Sequence, residues 1–151
     1  MSESLATNNV DRVKWCISHG ADPNLRGSGR GNTATPLATA AYHGDIPVLE
    51  ALLSGGADLI PEALVGAMHP RARGGIPVMK FLINRGVDVN AFRKKEGDTH
   101  LHWAVRIRDT QKVKLLLESG ADGTVKDVLG LTPAEAAKEI GRMDIYEVLS
   151  R

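Results

Sequence analysis

Apolar residues along this chain fall at helical spacing in four stretches, VDRVKWCI, IPVLEALL, IPVMKFLI and TQKVKLLL. Each runs shortly ahead of a glycine: Gly20, Gly56, Gly86 or Gly120. Recurrence at i, i+3 and i+4 predicts a helix with one buried face. A glycine just past such a helix predicts a left-handed end, a conformation that strains any other side chain. A second set of helices is predicted from TPLATAAYHG (35–44), THLHWAVRIR (99–108) and TPAEAAKEIG (132–141). Thr35, Thr99 and Thr132 stand where an N-cap hydroxyl accepts from a free first-turn N–H. Pro36 and Pro133 follow at the first helical position, where a missing N–H costs nothing. Thr132 with Glu135 also spells a capping box. Ala40, Ala41, Ala104, Ala136 and Ala137 make this second set thin, so neighbours approach closely. Leu49, Leu52, Leu53, Val113, Leu116 and Leu117 make the glycine-ended set thick.

The alternation repeats. HGADPN (19–24), GGADLI (55–60), RGVDVN (85–90) and SGADGT (119–124) recur, with their glycines 36, 30 and 34 residues apart. Thr-Pro helix starts, alanine-rich thin helices and GAD turns in this order resemble an ankyrin-repeat protein, over essentially the whole chain. The resemblance implies an all-α fold: an α-solenoid of helix–turn–helix units with short β-hairpin fingers, stabilised between neighbours. As one domain of five units it divides at about 1–24, 25–60, 61–90, 91–124 and 125–151. The first unit is short, since Met1 to Ala6 leave barely a turn and a half for its first helix. The last ends at Arg151, straight after its second helix. Both resemble caps, so a complete small protein and a piece of a longer array both stay open.

Composition narrows the function classes. Of 151 residues 42% are apolar, 25% charged and only 4% aromatic, which favours small-residue helix packing over an aromatic-cored sandwich. No window reaches the ~20 apolar residues of a membrane helix, and MSESLATNNV lacks the basic and apolar regions of a secretory signal. With one cysteine, no intrachain disulfide forms. An intracellular protein, cytoplasmic or nuclear, is expected, with no membrane role. Cys16 sits on an apolar face beside Val13 and Ile17 and is expected to be a buried small hydrophobe. No G-x-S-x-G, P-loop or dinucleotide fingerprint is present, so no cofactor is expected. His100 and His102 form an H-x-H pair, but two helical residues that far apart point about 200° apart and cannot chelate one ion. No metal is expected either.

Net charge is +1, which does not support nucleic-acid binding in bulk. Its distribution is uneven. Residues 69–114 carry 11 basic and 4 acidic side chains, whereas 1–68 and 115–151 each carry 4 basic and 7 acidic. Arg71, Arg73, Arg93, Lys94, Lys95, Arg106 and Arg108 dominate the basic middle, which would steer an anionic partner. The acidic flanks argue against a nucleic-acid duplex.

The units also depart from regularity. From helix-ending glycine to the next first-helix apolar residue, the spacings are 17, 8, 15 and 14. The first finger, LRGSGRGNTA (25–34), is long and glycine-rich and expected to be mobile without a ligand. The third unit has almost no finger, and spends its extra residues in the loop MHPRARGGIP (68–77). Such a gap opens a notch.

The resemblance implies that partners meet finger tips and the concave face of the thin helices. Carried onto this chain, those positions are Tyr42, His43, His69, Arg71, Lys95, Trp103, Arg106 and Ile107. Asn32 and Asp98 are among the flanking ones. His102 takes the family's structural histidine position, and Asn90 matches asparagines that undergo hydroxylation in such repeats, or else holds its turn through its side chain. The leading expectation is a non-catalytic protein-interaction module that binds an acidic surface or peptide, with Trp103 as anchor. The alternative is a small-molecule site or small enzyme in the third-unit notch, built from Tyr42, His43, His69, Arg71 and Trp103.

Overall fold

The computed structural model describes residues 2–27, 34–93 and 96–151, with side chains from Asn9 onward. Lys95 and the finger residues 28–33, Asn32 among them, lie outside the described residues. The chain forms two compact bodies, Met1–Val87 and Asp88–Arg151.

The N-terminal body holds helices α1 (Ser2–Ser18), α2 (Pro36–His43), α3 (Ile46–Ser54), α4 (Pro61–Met68) and α5 (Gly75–Asn84). The C-terminal body opens with a hairpin, β1 (Phe92–Arg93) against β2 (Asp98–Thr99). It continues through α6 (His100–Arg106), α7 (Thr110–Glu118), α8 (Pro133–Glu139) and α9 (Met143–Leu149).

Thin helices pack on thin ones and thick on thick: α2 on α4 and α1 on α3, then α6 on α8 and α7 on α9. Alanine explains the thin layer. Ala41, Ala63 and Ala67 in one body, and Ala104 and Ala137 in the other, are fully buried. The thick helices supply bulk through Leu49, Met79, Leu82, Leu116 and Ile145. Each such leucine contributes about 1.5–3 kcal/mol by leaving water.

The expected caps are in place. Thr35 accepts from the Ala38 N–H at 3.2 Å, and Thr132 forms a capping box with Glu135. At α6 the box uses a histidine in the glutamate position, His102. The glycines of the four recurring turns have φ of 87°, 91°, 91° and 87°, as left-handed helix ends demand.

Three expectations are corrected. The first unit has no helix–turn–helix, because SESLATNNVDRVKWCIS contains no glycine or proline to break it and runs as one helix. That helix packs on α3, so it takes the thick-helix place. Cys16 is exposed, not buried, whereas Ile17 beside it lies against Gly55 at the end of α3. The irregular loop is shorter than 68–77. Helix α5 starts at Gly75 and takes Pro77 into its first turn, where a missing N–H is tolerated.

Candidate functional site

In the N-terminal body the loop His69–Gly74 folds back onto the C-terminal end of α2. The Arg73 N–H donates to the Tyr42 carbonyl at 2.9 Å. Two glycines permit this approach. A Cβ on Gly74 would lie 2.2 Å from the Ala41 carbonyl oxygen, and one on Gly44 would lie 3.0 Å from the Arg73 backbone. The loop is therefore held by backbone contact.

This closure gathers three sequence-predicted residues. Tyr42, half-buried, has the His43 ring edge-on at 5.3 Å and the His69 ring tilted at 5.4 Å. His69 Nδ1 accepts from the Arg71 N–H at 3.1 Å, which in the neutral ring leaves the proton on Nε2. Arg71 and Arg73 are exposed, and among the described residues neither is in an ion pair.

The C-terminal body treats its predicted cations differently. Arg106 donates to Asp98 Oδ2 at 2.5 Å and to Asp127 Oδ2 at 2.7 Å. Both carboxylate side chains are only 1% exposed, whereas Arg106 is 37% exposed. Burial pushes the Asp98 carboxyl above its ordinary range, although Arg93, Arg106 and His102 pull it down. Burial also opposes ionisation of Asp127. There N–H donation from Leu131 and Leu129, with the charges of His102 and Arg106, prevails, and its pKa is lowered. Arg106 was expected to offer free charge to a partner. Its charge is instead compensated within its own body.

Trp103 is half-buried on α6, and the Arg93 guanidinium lies 4.5 Å from its ring centre. Arg93 also reaches Asp98 at 3.5 Å. One face of the expected anchor is thus occupied by a finger residue. Ile107 is half-buried as the C-cap of α6.

The histidine pair is structural. His102 Nε2 pairs with the Leu131 carbonyl at 2.9 Å and its Nδ1 with Thr99, while buried His100 turns Nδ1 toward the Val89 carbonyl at 3.3 Å. Among the described residues no His, Cys, Asp or Glu group of three is placed to hold a metal ion. Asn90 donates to the Gly120 carbonyl at 3.0 Å and accepts from the Asp122 N–H at 2.8 Å. Asn24 makes the same clasp on Gly56 and Asp58. The shared D-x-N string is the sequence signal for it. Asp98 and Asp127, the anchors of Arg106, carry no such signal.

An open recess of about 610 Å³ lies among α1, the first finger, α2 and α3, lined by Val13, Leu25, Pro36, Ala40, His43 and Leu52. Of the residues assigned to a third-unit notch, it includes His43 alone. At the fingers of the C-terminal body, Phe92, Val128 and Leu129 are 48%, 71% and 72% exposed. The Val128 N–H donates to the Gly97 carbonyl at 3.0 Å and ties these two fingers together. No described helix is long and apolar enough to cross a membrane.

Comparison with known proteins gives a consistent result. Residues 66–150 match a family described as ankyrin repeats (3 copies), and residues 5–53 match ankyrin repeats (many copies). A protein of Rickettsia bellii (strain RML369-C), named as an ankyrin repeat protein, is 36% identical over 119 residues, 76% of this chain and 65% of that protein. The mitochondrial disaggregase of Bos taurus is 33% identical over 144 residues, 92% of this chain but 21% of that protein. SH3 and multiple ankyrin repeat domains protein 2 of Homo sapiens is 33% identical over 125 residues, 82% of this chain and 5% of that protein. The chain spans less than two thirds of the length of each of these relatives. The match at 66–150 covers more than half of the chain and falls on the stretch that carries capped thin helices, glycine-ended thick helices and an asparagine clasp, so this chain belongs to the ankyrin-repeat family.

Proposed function

We propose that this chain is a non-catalytic protein-interaction module whose fingers and thin helices hold a protein partner of acidic character. Ankyrin repeats generally serve such contacts, an argument from fold. The observation that carries the reading is the finger edge of the C-terminal body. Phe92, Val128 and Leu129 are large apolar side chains left in water on neighbouring fingers, and the hydrogen bond between Val128 and Gly97 holds those fingers together. Apolar side chains on a pre-formed edge gain by burial against a partner, with little ordering cost. The acidic character rests on cations that the fold leaves unused, with Arg71, Arg73, Lys114 and Lys126 exposed and outside the ion pairs that neutralise Arg93 and Arg106. The recess beside α1 is open, unlike the enclosed sites that small ligands take.

The test is capture from the source cell with the native chain and with a Phe92→Ser, Leu129→Ser variant as baits. A protein retained by the native chain, lost with the variant and released by moderate salt supports the reading. Equal recovery on both baits rejects the finger edge.

A further inference from the structure

The loop between α4 and α5 is unlike its counterparts. Two residues, Gly44 and Asp45, join α2 to α3, and three join α6 to α7 and α8 to α9, whereas six, His69–Gly74, join α4 to α5. Its charge differs as well. Asp45 and Asp109 cap the helices that follow them by accepting from Val48 and Lys112 N–H groups. At that position α5 has Gly74 and α9 has Arg142, neither with a side-chain cap. The sequence from His69 to Gly74 contains two arginines, one histidine and no acid. An insertion serving only as a connection would not need the docking against α2.

The docking makes the loop a fixed platform. The Arg73 N–H holds the Tyr42 carbonyl, the Ala72 N–H holds the His69 carbonyl at 2.8 Å, and Gly44 and Gly74 allow the backbones to touch. The Tyr42 and His69 rings meet at a tilt, with centres 5.4 Å apart. His69 spends Nδ1 on the Arg71 N–H, so its Nε2–H is a spare donor. The Tyr42 hydroxyl makes no hydrogen bond among the described residues and is a second donor. Arg71 and Arg73, both exposed, are carried on the same loop, and their backbone N–H groups bond His69 Nδ1 and the Tyr42 carbonyl. Asp45, the acid next to this cluster along the chain, has Oδ1 engaged by its helix cap.

We propose that the loop His69–Gly74, with Tyr42 and His43, is a docking site for an acidic peptide segment, whose carboxylates meet Arg71, Arg73, the His69 Nε2–H and the Tyr42 hydroxyl. Arginine forks suit carboxylates bidentately, and neutral donors beside them fix orientation. The site lies at the C-terminal end of α2, whereas the finger precedes its N-terminal end at Thr35. Its residues belong to the N-terminal body, and it shares none with the finger edge of the C-terminal body. The proposal rests on the interaction-module reading and adds a second contact that selects for acid.

The experiment uses the whole chain, a fluorescent peptide of alternating glutamate and glycine, and its glutamine counterpart as control, read by anisotropy at low salt and by amide NMR shifts. The glutamate peptide is expected to bind, to shift the amides of residues 42–44 and 69–74, and to weaken about tenfold with Arg71→Glu plus Arg73→Glu. Arg71→Gln plus Arg73→Gln is the milder variant should charge reversal disturb folding, and it should weaken binding in the same direction. Lys14→Glu plus Lys138→Glu, at two exposed lysines, changes net charge equally and should leave affinity within about twofold. Equal weakening by the lysine pair means attraction by overall charge and overturns the proposal. Shifts confined to residues 92–98 and 126–130 overturn it too, while leaving the finger edge intact. No binding at all overturns this site, and the finger reading is then judged separately by its own capture experiment.

Discussion

Replacing Arg106 by alanine tests whether this residue is a structural tie or a partner contact. The guanidinium spans two carboxylates, Asp98 and Asp127, whose side chains are each 1% exposed. Its removal leaves two buried anions, of which Asp98 retains Arg93 at 3.5 Å and Asp127 retains the N–H groups of Leu129 and Leu131. Breaking a fully buried pair costs about 3–5 kcal/mol. Arg106 is 37% exposed, so solvent already screens part of the attraction. A loss of about 2–3 kcal/mol is expected, or roughly 5–10 °C in Tm for a chain of this size. Urea unfolding followed by far-UV circular dichroism measures it. The pH dependence adds a second constraint. Burial already raises the Asp98 carboxyl, and without Arg106 both carboxyls titrate at higher pH in the folded chain than in the wild type. A folded-state pKa raised above the unfolded value costs stability at neutral pH, and that cost disappears as pH falls through it. The deficit of the variant should therefore shrink from pH 7 toward about pH 4, where carboxyls ordinarily protonate. A loss below about 0.5 kcal/mol, within the range of ordinary surface substitutions, refutes the tie and returns Arg106 to the partner-binding set.

Two further outcomes are expected. Asn90→Ala should remove both hydrogen bonds of the clasp on Gly120 and Asp122, cost about 1–2 kcal/mol and speed hydrogen exchange at the Asp122 amide. Unchanged exchange there would mean that the backbone holds the turn unaided. Cys16 should react stoichiometrically with an aromatic disulfide reagent in native buffer, since its side chain is exposed. Reaction only after denaturation would restore the buried position expected from its neighbours Val13 and Ile17.

What was legible in the sequence is local. Thr35, Thr99 and Thr132 cap the helices they precede, and Gly20, Gly56, Gly86 and Gly120 take positive φ, because each of these roles is set within one turn of chain. The clasp by Asn24 and Asn90 reaches 32 and 30 residues along the chain, yet it recurs with the repeat and so left a mark in the D-x-N strings. The tie at Arg106 left none. Its partners lie 8 and 21 residues away, occur once, and can be told from surface acids only by their burial. Cys16 failed for a related reason. Periodicity marks an apolar face, but which side of α1 meets α3 is decided by packing.

The distinction between repeated and unrepeated features bears on where function resides. In a stack stabilised between neighbours, a repeated residue maintains an interface that every unit needs, so its identity reports on the scaffold. An unrepeated device is free of that demand. The tie of Arg106 to Asp98 and Asp127 is unrepeated but turned inward, and it joins the hairpin, α6 and the following finger. The loop His69–Gly74 is unrepeated and turned outward. It lengthens a connection that two or three residues make elsewhere, and Gly44 and Gly74 let its Arg73 backbone meet α2 while the His69 ring meets Tyr42. Stability alone would favour the shorter, capped turn. The proposed docking of an acidic segment accounts for that departure, since the acid missing from the loop is the chemistry that such a partner would bring.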